Sequence, residues 1–464
     1  MTQDKSLPDG WKKKKLGEIT RVLRGASPRP KGDPKYFGGS IPWIKISDVT
    51  GEPGKFLSST VDHVTVEGAS KSKLLKKGSL ILSICATVCV PKILSVDGCI
   101  HDGFVYFPDL SDEINLSFLY YYFESIRTKI IQENRQGMTQ VNLNTGIVSD
   151  FPIAIPSLPE QERIVAKIEE LFTDLDAGVA ALQRAQAGLK RYKASVLKAA
   201  CEGRLVLQDP SDEPAAEMLH RLGKQPLAGD DLPPLPQGWC WTKVSEIYAK
   251  IQYGTSDKAD ENPLGIPVLR MGNILDGQIS LTKLKYLPKD TPGIHSYILE
   301  EGDLIFNRTN SAELVGKTSV FKGCNQVMAF ASYLIRVRLN EGCFPEYLSS
   351  YINSSFGRSY ISSVVSQQVG QANVNGTKLA NMRVPLPPKK EQMKIVTEAE
   401  RCMSLANFIE KAINIEIARA SRLRQSILQQ AFAGKLLNTD HPLLEPVVPS
   451  LENSIIGKPA AGKF

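Results

Sequence analysis

At 464 residues, 42% hydrophobic and 23% charged, the chain has the make-up of a globular protein with room for two or three domains. Eight cysteines in so long a chain exclude a disulfide scaffold, and no apolar run approaches a membrane span; the opening MTQDKSLPDGWKKKK lacks a signal-like apolar stretch, so a reducing cytoplasm without membrane attachment is expected. Net charge is +7, but residues 1–35 carry ten Lys or Arg against four Asp or Glu, a surplus of six that suggests a polyanionic partner without identifying it.

The first globular stretch spans residues 1–157. Its lysine run, Lys12 to Lys15, is on its own more often a solvated surface than a nucleic-acid site. Short Val/Ile/Leu segments such as Ser79–Ile84 and Gly103–Phe107, set between Gly- and Pro-rich turns, predict strands. Asn115–Glu133 predicts a helix with Phe118, Leu119, Tyr122, Phe123 and Ile126 on one face. Prolines at 152, 156 and 159 forbid a helix just upstream of the long periodic stretch 158–207, which opens with Glu160 and Glu162 in its first turn. Heptads counted from Ile168 set Ile168, Leu175, Leu182, Leu189 and Val196 seven apart.

Residues 208–234, rich in proline and aspartate, predict a linker with at most one short helix. A second globular stretch, 235–388, leads into a second long helix, 389–438. One seam of that helix carries Ile413 and Ile427, the other Ile409 and Leu423, and Glu416 falls among the apolar positions. Both long helices stop at a glycine, Gly203 and Gly434, with a basic residue beside it. Residues 439–464, Pro-rich and aperiodic, predict a flexible tail. The fold class is α+β, because strands and helices mix without strict alternation.

The plan is duplicated. Pro156, Glu160, Gln161, Ile164 and Val165 return as Pro387, Glu391, Gln392, Ile395 and Val396, all 231 residues later. At the far helix end Ser195, Ala200, Gly203 and Leu205 match Ser426, Ala431, Gly434 and Leu436 at the same offset. LPDGW at 7–11 recurs as LPQGW at 235–239, IPWIKISDV at 41–49 as IPVLRMGNI at 266–274, and LKKGSLILS at 75–83 as LEEGDLIFN at 299–307. Offsets drift within the domains and hold within the helices, so the loops vary while a spacer of fixed length cannot. At ~1.5 Å per residue each helix is a rod of about 63 Å. The alternative places the two amphipathic helices in separate cores.

Enzyme signatures fail one by one. LVGKTS at 314–319 resembles the end of a phosphate loop, but the glycine needed five residues before Gly316 is Ser311. Cys85, Cys89, Cys99 and His101 match no common zinc spacing. No catalytic residue, metal or cofactor is expected in this chain. What remains is polar readout chemistry. The loop NRQGMTQVNLN at 134–144 supplies Arg135, Gln136, Gln140 and Asn142, and SQQVGQANVN at 366–375 supplies Gln367, Gln368, Gln371 and Asn373. FNRTN adds Asn307, Arg308, Thr309 and Asn310, while Arg24, Arg29 and Lys31 lie in one further stretch. Lys12, Lys14, Lys45, Thr87 and Arg270 complete the candidate DNA contacts. Gln and Asn suit adenine edges and Arg suits guanine.

On these twin motifs, with the helix ends SVLKAACEGRL and SILQQAFAGKL, the chain resembles the DNA-specificity subunits of type I restriction-modification systems over about residues 7 to 440. The resemblance implies two target-recognition domains, separated by two helices packed as a pseudo-twofold antiparallel coiled coil. Each domain would read one half of a split target in double-stranded DNA. It further implies two modification subunits that methylate adenine from S-adenosylmethionine, and restriction/translocase subunits using ATP and Mg, so catalysis belongs to partner chains. Divergence such as RGASPRPKG against YGTSDKADE implies unlike half-sites and an asymmetric target. Glu416 departs from the simplest picture of the coil and would mark a partner contact. The other reading is a DNA-binding coiled-coil scaffold or regulator independent of methylation.

Overall fold

The computed structural model describes residues 8–133, 143–229, 231–275, 277–368 and 371–437. The expected tail at 439–464 lies outside them. Two compact units result, one formed by residues 1–180 with 416–464, the other by 181–415.

In the first unit, five strands order as Leu23–Arg24, Phe104–Tyr106, Leu80–Ser83, Pro91–Leu94 and Phe56–Leu57. Four more order as Asp62–Val64, Phe37–Ile44, Gly98–Ile100 and Lys73–Leu75. Each sheet mixes one parallel pair with antiparallel ones, whereas a doubly wound sheet is mostly parallel. The helix Leu116–Glu133 sends Phe118, Leu119, Tyr122 and Phe123 into the core, where Phe123 stacks on Phe107 at 5.3 Å.

Two further helical pieces close that core. The first long helix, Leu158–Cys201, contributes Ile164, Ile168, Leu171 and Phe172. The end of the second, Lys389–Phe432, contributes Ile427, Leu428 and Ala431, and its Phe432 ring meets Phe118 at 4.9 Å. Further along the first helix, Asp176 pairs with Arg424 of the second, whose guanidinium lies over the Phe172 ring at 4.1 Å.

The second unit repeats the plan. Tyr248–Tyr253, Leu334–Leu339, Leu304–Asn307 and Thr318–Val320 form its main sheet, and Tyr347, Leu348 and Tyr351 of the helix Pro345–Asn353 fill its core. Ala200 and Cys201, at the end of the first long helix, are buried in that core, while Val196 packs on Ala399 and Cys402. Gln186 bonds Asn414 at 3.0 Å and Lys193 pairs with Glu410.

Residues 208–234, expected as a linker with at most one short helix, hold the short helix Ala215–Arg221, which buries Ala215, Met218 and Leu219 in the unit's core, and Leu227 N donates to Trp241 O at 2.7 Å. Three apolar residues spaced i, i+3, i+4 give that short helix a core face despite the surrounding prolines. Ile409, expected on a packed seam, is 38% exposed. Glu416 is likewise exposed and pairs with Arg419 at 3.7 Å. A strict heptad assumes 3.5 residues per turn, and a straighter helix drifts ~20° per heptad. So Ile168, Val196, Ile413 and Ile427 are buried, Leu175, Leu182, Leu189 and Leu423 are half-buried, and position 409 turns outward.

The twin motifs prove to be clamps at the feet of these helices. Trp11 Nε1 donates to Glu160 Oε1 at 3.1 Å, and Trp239 Nε1 donates to Glu391 Oε2 at 2.9 Å. Gln161 is fully buried; it accepts from Asn115 N at 2.9 Å and donates to Glu113 O and Pro156 O at 2.8 and 3.0 Å. Gln392 does the same with Phe344 N, Gly342 O and Pro387 O, at 2.9, 3.3 and 2.9 Å. The far ends of the helices stop at Gly203 and Gly434, with left-handed φ of 66° and 67°, where a side chain would be strained.

Candidate nucleic-acid interface

Each unit has a mouth where three adjacent strands end around one tight turn. In the second unit the turn Ala331–Tyr333 precedes the central strand Leu334–Leu339, with Tyr253 ending one flanking strand and Arg308 following the other. Beside Arg308 a small sheet joins Thr309–Asn310, Gln371–Asn373 and Ser366–Gln368. Polar stretches some sixty residues apart in the chain are thereby brought together, with Thr309 opposite Asn373 and Gln368 opposite Gln371.

The side chains divide into free and spent. Asn373 Nδ2 donates to Thr309 Oγ1 at 2.7 Å, so that pair braces the sheet. Asn307 is only 1% exposed and its amide donates to Met271 O at 3.2 Å, which removes it from any readout role. Its place in an inward-facing register of the central sheet, invisible in the string FNRTN, is the reason. Asn310 remains partly open and Gln371 is exposed. The Arg308 guanidinium lies over the Tyr253 ring at 4.7 Å, and its Nη1 donates to Ser332 O at 3.4 Å. Tyr253 is itself held, its hydroxyl accepting from Gly376 N at 2.8 Å.

In the first unit the corresponding turn is His101–Gly103. Arg24 Nε donates to Asp102 O at 2.6 Å. Ser27 Oγ donates to Asp102 Oδ1 at 2.6 Å, and Arg29 lies 3.6 Å from the same carboxylate. The Ser27 hydrogen bond, helped by the nearby His101 and Arg24, holds the Asp102 carboxyl below its usual range. Burial pushes the His101 imidazole below its ordinary value against the pull of Asp102, and as a neutral ring its Nδ1 accepts from Gly103 N at 2.6 Å. Lys31 is exposed beside this stretch, and Thr87 is half-buried, its carbonyl accepting from Ser83 Oγ at 2.5 Å. Arg135, Gln136, Gln140 and Asn142 lie outside the described residues, as do the side chains of Gln367 and Gln368.

Other candidates sit elsewhere. Lys12 and Lys14 belong to the strand Lys12–Lys15, which pairs with Pro152–Ile155 at the foot of the long helix and not with the strand of Arg24. Lys45 pairs with Asp62, and Arg270 donates to Lys283 O at 3.3 Å. These two occupy matching positions, each ahead of a short helix whose Asp48 or Asn273 side chain accepts from its backbone N–H. Sequence reasoning missed Tyr253 and Tyr333, which are 41% and 46% exposed at the mouth. The signal for Tyr253 was available, because aligning RGAS with YGTS sets it opposite Arg24. Among the described residues no cluster of metal-ligating side chains occurs, and no helix is long and apolar enough to cross a membrane.

Comparison with known proteins follows this duplicated geometry. The model of the type I restriction modification DNA specificity domain matches residues 8–181 and 236–419. The EcoKI type I restriction enzyme specificity subunit of Escherichia coli (strain K12) is 25% identical over 452 residues, 93% of this chain and 90% of its own length. The StySPI specificity subunit of Salmonella potsdam is 26% identical over 445 residues, again 93% and 90%. A solved structure described as the basis of complex assembly and conformational transition of the type I R-M system superposes with a TM-score of 0.71. At 19% identity over 93% of this chain and 100% of that one, it speaks to the fold alone. A specificity domain matched twice, on two units that repeat one backbone around unlike polar mouths, places this chain among the type I restriction-modification DNA-specificity subunits, as a sequence-specific DNA-recognition subunit.

Proposed function

We propose that the chain holds two unlike DNA readers a set distance apart, so that together they recognise an asymmetric bipartite target in double-stranded DNA with an unspecified gap. The two long helices, packed as an antiparallel coiled coil, are the ruler. The observation that carries this is that each unit contains one end of both helices: residues 158–180 with 416–432, and 181–201 with 389–415. Within the first unit Ile164 and Ile168 share a core with Ile427 and Ala431 while Asp176 meets Arg424; within the second, Gln186 meets Asn414 and Lys193 meets Glu410. In both units the number rises along one helix as it falls along the other.

The chain itself is non-catalytic in this reading. Its buried thiols support it: burial pushes Cys89, Cys201 and Cys343 up to about 12, far from a reactive thiolate. Two adenine-methylating modification subunits would dock on the chain and carry S-adenosylmethionine. Restriction/translocase subunits would carry ATP and Mg, all in the cytoplasm. Inserting four residues into the first long helix, about 6 Å of rise, should alter the tolerated gap or abolish assembly. An unchanged gap sinks the ruler. Methyl transfer by the purified chain without partners would sink the non-catalytic reading.

A further inference from the structure

Five backbone hydrogen bonds recur in both readers and align them position by position. Gly25 N to Phe104 O answers to Gly254 N to Leu334 O, and Ala26 N to Ile100 O answers to Thr255 N to Phe330 O. Phe104 N to His101 O matches Leu334 N to Ala331 O, and Ile84 N to Gly103 O matches Arg308 N to Tyr333 O. Leu143 N to Ile84 O matches Val374 N to Arg308 O. Even the glycine is required alike: a Cβ on Gly25 or Gly254 would stand 2.3 Å from the carbonyl oxygen of His101 or Ala331. Arg24 therefore occupies the position of Tyr253, Ile84 that of Arg308, and Asp102 that of Ser332.

In this frame the two arginines stem from opposite flanks of their own central strands yet donate to equivalent carbonyls, Arg24 to Asp102 O at 2.6 Å and Arg308 to Ser332 O at 3.4 Å. We infer that each reader places one guanidinium at this point as the guanine-reading group of its half-site, and that Tyr253 is the positioning residue for Arg308. The inference rests on the two-reader proposal above. An arginine has five N–H donors. Anchoring Arg24 through Nε leaves both terminal nitrogens, the fork that matches guanine O6 and N7. Arg308 is fixed instead by the ring beneath it, and that ring by Gly376 N. A phosphate contact needs charge alone, whereas fixing the plane of a guanidinium favours a planar, two-acceptor partner.

The test uses the full chain assembled with its modification subunits and a duplex library randomised in sequence. Arg24→Lys and Arg308→Lys keep the charge and should each relax one guanine position, in different half-sites, with about fivefold or greater loss of preference. Tyr253→Leu should relax the same position as Arg308→Lys, and Tyr253→Phe, which keeps the ring but loses the hydroxyl that Gly376 N holds, should relax that position less than Tyr253→Leu. Uniform weakening across all sequences, a relaxed base other than guanine, or both arginines acting in one half-site would overturn the inference. A wild-type selection showing no gap would overturn only the bipartite reading, because the relaxed positions come from the variants whatever the spacing.

Discussion

The foot of each long helix and the mouth of each reader are built twice by this chain, and the copies have diverged to different degrees. At the feet the side chains repeat: a tryptophan reaches the same glutamate, and a buried glutamine makes the same three bonds to backbone. At the mouths only the backbone bonds repeat, while Arg24 faces Tyr253 in the alignment and His101 faces Ala331. A joint that must reproduce one angle between domain and rod tolerates no change in the groups that set it. A reading surface needs the same backbone frame but different donors and acceptors, or both half-sites would be alike.

The largest effect should come from breaking a foot. Gln161→Leu or Gln392→Leu leaves buried backbone groups without partners and should lower stability by about 3–5 kcal/mol in denaturant unfolding. A loss under about 1 kcal/mol would mean the repeated glutamine is not the clamp. Next, Ile413→Ala should cost about 2–4 kcal/mol, against less than about 0.5 for the outward-facing Ile409→Ala. The reverse ranking would reinstate the strict heptad seam.

At the mouths the effects move from stability to recognition. Asn310→Ala should weaken binding to one half-site by about 1–3 kcal/mol and leave the other intact. Equal loss on unrelated DNA would mean Asn310 touches only phosphate. The smallest effect separates the readers by pH. His101 is held below its ordinary 6.5 by burial, against the pull of Asp102 and Asp48 and with Lys31 adding to the depression. Its folded pKa lies under the unfolded one, so its contribution is complete above that range and is lost as pH falls through the folded value. Competition binding from neutral to acid pH should therefore weaken the first half-site before the second, whose turn has Ala331 in that place. Parallel decline of both would detach His101 from the first mouth.

Much of the plan was legible because it is local or periodic. Pro159 and the acidic first turn mark the helix start, Gly203 and Gly434 its stops, and the Glu–Gln repeat its fixed register. Strings such as FNRTN and QANVN announce polar chemistry, but they do not say which of their members face inward. The amide of Asn307 points into the sheet while Asn310 stays open, and that depends on strand pairing with residues thirty and sixty positions away.

By itself, then, the sequence determined that there are two copies of one domain-and-rod plan, where each rod begins and ends, and that polar loops recur at equivalent places. Only the tertiary structure decided that Ala215, Met218 and Leu219 belong to a core, that Ile427 and Ala431 close a domain beginning more than four hundred residues earlier, and that Arg24 and Arg308, from different flanks, each donate to the carbonyl at the equivalent point of their own unit. Periodicity shows that a helix has an apolar face; which residues cover it is set by contacts between distant segments, and those follow from packing rather than from neighbours in the chain.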